Sequence, residues 1–173
     1  GWVIGKLERL QLGETIRSDG PSHHEKKAGT PTMGGVLIVG SLSLSTLLWA
    51  DLSNPYVWTV LAVTLAFAGV GFTDDWIKVR YQRNLGLTVR QKLLLQVLIG
   101  LAAGLATRTV AAPASHASAL ALPFLKDVLV PLGIWSLPFV VLVLVGASNA
   151  VNFTDGLDGL AVGSMAIAAA TYT

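Results

Sequence analysis

Two adjacent aspartates, Asp74 and Asp75, close a long apolar run, and Lys78 follows within one helical turn. Carboxylates are oxygen ligands for Mg²⁺, and they also act as bases or nucleophiles in phosphoryl transfer. A plainer interpretation is a helix end that carries an aspartate–lysine pair at i, i+4. Two like charges at the edge of a hydrophobic segment are unfavourable, however, since each promotes protonation of the other. The pair therefore favours a functional site.

A second polar group lies near the end of the chain, where amides and carboxylates recur at every third position. Its members are Asn149, Asn152, Asp155 and Asp158. In an unbroken α-helix each step of three rotates by about 300°, so the first and last would lie on opposite sides. A turn after Thr154, at Gly156 and Gly159, would gather the side chains and expose backbone N–H groups to an anion. Helix capping alone explains one of these residues but not four.

The segment from Arg17 to Gly35 is rich in turn residues and leads into the first long apolar run. Its lysines, hydroxyls and glycine N–H groups suit a diphosphate, but they equally suit a positively charged membrane anchor. His23 and His24 have no third ligand nearby in the sequence, so we do not assign a metal site to them.

The elements that must position these groups are membrane helices. A hydrophobic fraction of 53% with only 13% charged residues is too apolar for an ordinary soluble domain. Residues 28–50, 52–73 and 128–154 contain no Asp, Glu, Lys or Arg, and each can cross about 30 Å of hydrocarbon. We predict an all-α, polytopic membrane fold with spans at residues 34–50, 56–73, 93–112, 133–151 and 157–173.

Basic residues indicate the orientation of these spans. Five of the twelve Lys and Arg residues precede the first span, and five more lie between the second and third. The positive-inside rule then places residues 1–27 and 74–92 in the cytoplasm. Both carboxylate groups fall at cytoplasmic helix ends, which predicts a polar cavity open to that side. On the opposite side we expect a surface helix around Phe124–Val130.

Further features limit the assembly and the partners. The chain has no cysteine, which excludes disulfides and thiolate metal sites. It begins without Met and ends within an apolar run, so we expect a fragment of a longer protein. The small residues Gly100, Ala102, Ala103 and Gly104 are compatible with a homodimer, and equally with helix packing within one chain. We expect no nucleic-acid partner.

Three segments together resemble the phospho-N-acetylmuramoyl-pentapeptide transferase family. They are Ser18–Pro21 continued by Lys27–Gly35, then Thr73–Lys78, then Asn149–Ala161. Their order and spacing fit the family pattern over essentially all 173 residues. The resemblance implies one partial transmembrane domain over residues 1–173. That domain would run from the end of the first helix into the sixth helix of a ten-helix fold.

The resemblance also implies a Mg²⁺-dependent enzyme of the bacterial inner membrane, with its active site facing the cytoplasm. Its partners would be UDP-MurNAc-pentapeptide, undecaprenyl phosphate and the lipid bilayer. The reaction would transfer the phospho-sugar to the lipid, releasing UMP and forming lipid I for peptidoglycan synthesis. Because the family's principal Mg²⁺ ligand would lie beyond Thr173, we expect the chain alone to be inactive.

Site residues follow from the same resemblance, position by position. The catalytic positions are Asp74, Asp75, Lys78 and Asp155, with Asp74 activating the lipid phosphate either as a base or as a nucleophile. Asp75 and Lys78 would organise the phosphates, and both adjacent aspartates are candidate contributors to Mg²⁺ binding. The substrate-binding positions are Lys27 and Thr32 for the diphosphate, and Asn149, Asn152, Gly156 and Asp158 for the uridine side.

Two other functions share parts of this pattern. Another polyprenyl-phosphate sugar-1-phosphate transferase, such as one that moves phospho-GlcNAc, would also carry the paired aspartates and a segment like Asn149–Ala161. The form of Lys27–Gly35 favours the MurNAc-pentapeptide branch. An ion-coupled transporter also needs membrane carboxylates, but its sites tend towards the bilayer midplane and not towards helix ends.

Overall fold

The computed structural model describes residues 34–81, 85–110, 118–122, 128–154 and 160–171. Over these ranges the helices are α1 (Gly34–Trp49), α2 (Pro55–Arg80), α3 (Val89–Val110), α4 (Ser136–Thr154) and α5 (Leu160–Ala170). Two short strands, β1 (Ala119–Ala121) and β2 (Leu129–Pro131), and a 3₁₀ turn at Gly133–Trp135 lie between α3 and α4. The chain divides within α3 into two compact units, Gly1–Leu95 and Gln96–Thr173.

Within the described ranges, three helical segments are long and apolar enough to cross a membrane: Pro55–Arg80, Val89–Val110 and Gly133–Thr154. The shorter apolar helices α1 and α5 accompany them. Large apolar side chains on these helices are exposed, as Leu48 and Val60 illustrate. Such surfaces suit hydrocarbon, where a helix needs no burial in a water-excluding core. The prediction of a helical membrane fold is confirmed.

In the first unit, α1 packs against α2 across a short polar connection. Asn54 caps α2, because its side chain accepts a 2.9 Å hydrogen bond from the Tyr56 N–H and Pro55 occupies the first helical position. Asp51 accepts hydrogen bonds from the hydroxyl and the N–H of Ser53, and these bonds lower the pKa of its carboxyl group. Every polar group named here is used locally, to begin the helix.

The other end of α2 extends further than the sequence predicts. The predicted span closes at residue 73, whereas the helix continues to Arg80. Asp74, Asp75 and Lys78 therefore lie on the helix itself. After the next connection α3 begins at a capping box: the Thr88 N–H donates to Gln91 Oε1 at 3.0 Å, and the Gln91 N–H donates to Thr88 Oγ1 at 3.3 Å.

In the second unit, the remainder of α3 packs closely against α4. A side-chain atom at Gly100 would lie 3.2 Å from Val141, and one at Gly104 would lie 3.0 Å from Leu137. Positions therefore increase along α3 as they decrease along α4, so the two helices are antiparallel. The small residues Gly100, Ala103 and Gly104, all buried, pack two helices of one chain, which is one of the two uses predicted for them.

Between α3 and α4 the chain forms a small antiparallel ribbon. Leu120 pairs with Val130 in this ribbon, and Gly133, with φ at +55°, then turns the chain into the 3₁₀ segment. The surface helix predicted around Phe124–Val130 is wrong for residues 129–130, which lie in a strand; residues 124–127 lie outside the described ranges. Branched side chains and Pro131 favour extended backbone at this edge.

Candidate functional site

The last turns of α2 carry the carboxylate cluster, formed by Asp74, Asp75 and Lys78. One helical turn separates Asp74 from Lys78, so the lysine side chain returns along the helix towards the two aspartates. Lys78 Nζ lies 2.7 Å from Asp74 Oδ2 and 3.2 Å from Asp75 Oδ1. A single ammonium group thus neutralises parts of two carboxylates at once.

Asp74 has a further partner from outside its own helix. The backbone N–H of Leu87 donates a 2.7 Å hydrogen bond to Asp74 Oδ1, across a separation of 13 residues. Each oxygen of Asp74 therefore has its own donor, a backbone amide on Oδ1 and a lysine on Oδ2. Both donors favour the ionised carboxylate.

Exposure separates the three side chains of the carboxylate cluster. Asp74 is 14% exposed, whereas Asp75 is 41% and Lys78 is 38% exposed. Lys92 on α3 is near enough for its charge to act on Asp74. Asp74 is consequently a held carboxylate in a positive environment, and its neighbours are accessible to an incoming ligand. Lys78 could bind a phosphate, and Asp75 could bind a cation.

The second unit contains a different polar group, the amide cluster, formed by Gln96, Ser148 and Asn149. Gln96 is only 2% exposed. Its Oε1 accepts a 2.8 Å hydrogen bond from Asn149 Nδ2, and its Nε2 donates to Ser148 Oγ at 3.3 Å. Asn149 Nδ2 also donates to the Val145 carbonyl at 2.8 Å. These bonds link α3 to α4.

This geometry bears on the predicted role of Asn149. Both hydrogens of its amide nitrogen are directed to protein acceptors, Gln96 and Val145, so they serve helix packing. Asn152, three residues later, is exposed at the end of α4. Binding of the uridine side by Asn149 and Asn152 stays a prediction.

Not all of the predicted site residues fall within the described ranges. Asp155, Gly156, Asp158, Lys27 and Thr32 lie outside the described residues. The predicted break after Thr154 falls on residues 155–159, which also lie outside the described residues, so it stays a prediction. Within the ranges that the structure describes, no three His, Cys, Asp or Glu residues gather into a metal-binding group.

Three contributors to these clusters were missed in the sequence: Leu87, Gln96 and Ser148. Leu87 acts through its backbone N–H, which no side-chain pattern marks, although the capping box at Thr88 indicates where the chain turns. Gln96 offered a clearer signal, since it is a polar residue within the otherwise apolar stretch that follows Lys92. A polar residue in such a stretch usually finds a partner on a neighbouring helix.

Comparison with protein families gives two matches. The profile of glycosyl transferase family 4 matches residues 57–173. The phospho-N-acetylmuramoyl-pentapeptide-transferase signature 1 matches residues 27–39. The first match includes the carboxylate cluster and the amide cluster, and the second includes the C-terminal part of the Arg17–Gly35 segment and the beginning of α1. Both agree with the resemblance drawn from the motifs.

Curated relatives carry the same description. The phospho-N-acetylmuramoyl-pentapeptide-transferases of Pelobacter propionicus and Citrifermentans bemidjiense are each 53% identical to this chain over 171 residues. That of Desulforapulum autotrophicum is 50% identical over 171 residues. Each alignment covers 99% of this chain and 47% of the relative. The chain thus spans about half the length of the curated relatives it matches.

Proposed function

Because the chain belongs to glycosyl transferase family 4, we propose that the full-length protein transfers phospho-N-acetylmuramoyl-pentapeptide from UDP-MurNAc-pentapeptide to undecaprenyl phosphate. The products are UMP and lipid I, the first membrane-bound intermediate of peptidoglycan synthesis. The names of the relatives and the signature match over residues 27–39 support this branch of the family.

The observation that carries the proposal is the carboxylate cluster. Lys78 bridges two aspartates at the end of a helix long and apolar enough to span the membrane. A reaction between a lipid phosphate and a soluble nucleotide needs charged groups at the boundary between hydrocarbon and water. The cluster supplies a held carboxylate, an accessible carboxylate and a mobile ammonium group there.

In this proposal Asp74 activates the acceptor. As a base, it takes the proton from the lipid phosphate, whose oxygen attacks the sugar-side phosphorus of the UDP group while the bond to UMP breaks. As a nucleophile, it first displaces UMP and forms an acyl phosphate, which the lipid phosphate then attacks. Both schemes need an ionised Asp74, and both remain open.

Lys78 and Asp75 take supporting roles. Lys78 can turn from the aspartates towards a phosphate oxygen and stabilise the negative charge that develops there. Asp75, more exposed than Asp74, would contribute to holding Mg²⁺ together with substrate phosphates, and Asp74 is a second candidate. When bound, Mg²⁺ would neutralise charge on the diphosphate. The carboxylate oxygens fit this hard cation, although two ligands do not complete its coordination.

The location follows from the membrane helices and the distribution of basic residues. The protein is a membrane protein, and we propose the bacterial inner membrane with the carboxylate cluster facing the cytoplasm. Ten basic residues in the segments 1–27 and 74–92 support this orientation. The soluble nucleotide substrate would then reach the cluster from the cytoplasm and the lipid acceptor from the bilayer.

Release of UMP by the full-length protein in detergent tests the proposal. UDP-MurNAc-pentapeptide, undecaprenyl phosphate and Mg²⁺ should give UMP, and omission of either the lipid or the metal should stop the reaction. UDP-GlcNAc under the same conditions is the matched comparison. Preferential use of UDP-GlcNAc would establish the rival sugar-1-phosphate transferase. Failure of both nucleotides would reject the enzyme and direct attention to ion transport.

A further inference from the structure

The turn between α2 and α3 approaches Asp74 more closely than a side chain would permit. At Gly86, a Cβ atom would lie 2.7 Å from the backbone carbonyl oxygen of Asp74 and 2.7 Å from its Cγ, and it would overlap Oδ1. Approaches below 3.0 Å require something to shift, and here part of the obstacle is the backbone of α2. Any residue larger than glycine at position 86 would displace the turn.

The same turn is fixed from its other side. Thr88 and Gln91 form the capping box of α3, with Thr88 Oγ1 also hydrogen-bonded to Gln91 Oε1 at 2.9 Å. Leu87 thus lies between a glycine that touches α2 and a cap that fixes α3. Its N–H cannot move far from Asp74 Oδ1, which it contacts at 2.7 Å, without loss of one of these arrangements.

We propose that the turn Gly86–Thr88 is a positioning element that fixes the orientation of the Asp74 carboxylate through the Leu87 N–H. The inference rests on the proposed function, in which Asp74 is the activating group. Neither Gly86 nor Leu87 needs to touch a substrate. Their effect reaches the reaction only through Asp74.

The two groups that donate to Asp74 differ in stiffness, and its two carboxylate oxygens therefore have different roles. The Leu87 N–H belongs to a short turn anchored at both ends, whereas Lys78 has a flexible stem and is 38% exposed. Oδ1 is accordingly the anchored atom. Oδ2 is released when Lys78 turns to a phosphate, and it is the oxygen that reacts.

Gly86→Ala in the full-length protein tests this division, with Gly71→Ala as control. A Cβ at Gly71 would meet nothing within 4 Å. We expect the Gly86 variant to lose about tenfold to hundredfold in kcat, because small misplacements of a reacting group have effects of this size. The KM for UDP-MurNAc-pentapeptide should change less than about twofold, since uniform substrate binding is not altered. The control should keep the wild-type values.

Asp74→Asn, assayed in parallel, separates failure of this inference from failure of the proposed function. If Asp74→Asn remains active, the assignment of Asp74 is wrong, and the positioning role falls with it. If Asp74→Asn is inactive while Gly86→Ala matches the control, only the positioning role is wrong. A rise in KM at unchanged kcat for Gly86→Ala would also overturn it.

A second pair of variants tests the positioning role of the turn even if Gly86→Ala does not fold. Thr88→Ala removes the cap that fixes the turn, and Asn54→Ala removes the cap at the opposite end of α2. Both remove a helix cap, but only the first should lower kcat, by about threefold to tenfold. Thr88→Ser retains the hydroxyl and should restore kcat. Equal loss of kcat in the two alanine variants would show that Thr88 acts on stability alone.

Discussion

The carboxylate cluster and the amide cluster use their hydrogen bonds in opposite ways. In the amide cluster, Gln96 is 2% exposed, and the Asn149 amide nitrogen donates both its hydrogens to protein acceptors. In the carboxylate cluster, Asp75 and Lys78 are each more than a third exposed, and one lysine serves two acids. In the amide cluster the Asn149 amide hydrogens and the Gln96 side chain are used within the protein, whereas the carboxylate cluster can exchange its internal contacts for external ones.

This difference helps to interpret polar residues in membrane helices. Neutral amides that satisfy one another stabilise helix packing and have little reason to bind anything else. Charged groups near a helix end are harder to accommodate in a membrane, and partial exposure lets them act on water-soluble ligands. The comparison therefore predicts that substitutions in the carboxylate cluster reduce activity and that substitutions in the amide cluster reduce stability.

The largest expected effect is on Asp74. Asp74→Asn keeps the shape of the side chain but can accept from only one of its two donors, the Leu87 N–H or Lys78. It also removes the charge needed to activate a phosphate. UMP release by the full-length protein should fall by about 10² to 10⁴-fold, with little change in thermal stability in detergent. Asp51→Asn, at the other end of α2, is the matched control and should retain activity. If Asp74→Asn were as active as Asp51→Asn, the carboxylate cluster would not be distinguished from the amide cluster by its effect on activity.

A smaller loss is expected at Lys78. Lys78→Gln leaves two adjacent carboxylates without their shared cation and removes a donor for phosphate, so kcat should fall by about 10² to 10³-fold. Arg90→Gln deletes an equal charge from α3 and should have little effect. Full activity of the Lys78 variant would mean that the lysine only balances charge in the resting protein.

The smallest effect, and one of a different kind, is expected in the amide cluster. Gln96→Leu leaves one Asn149 hydrogen without its acceptor and should destabilise the protein by about 1 kcal/mol, measured as thermal unfolding in detergent. Asn149→Ala should destabilise it similarly, and the double variant should lose less than the sum. If Asn149→Ala instead raises the KM for the nucleotide without loss of stability, the predicted substrate contact is correct.

Much of this architecture was accessible from the sequence. Uncharged runs longer than a bilayer thickness predicted a helical membrane protein, because a backbone in hydrocarbon must satisfy its own hydrogen bonds. The spacing of Asp74, Asp75 and Lys78 predicted their contact, since residues three and four apart share a helix face.

Other features were not accessible because they depend on which segments meet. The surface helix around Phe124–Val130 was wrong where residues 129–130 pair with β1, since strand pairing depends on a second segment, here Ala119–Ala121. That Asn149 donates a hydrogen bond to Gln96 was also not accessible, because the two residues are 53 positions apart. The helix end at Arg80 was also missed, because charged residues closed the hydrophobic run before the helix itself ended.

The sequence by itself determined the membrane helices, the family and the residues capable of phosphoryl chemistry, all of which depend on local composition and spacing. Only the tertiary structure decided which of those residues are held and which are accessible. Asp74 is anchored by a backbone N–H 13 residues away, and Gly86 is required by a contact with another helix. Such contacts leave no periodic pattern, because a backbone donor is the same in every residue except proline.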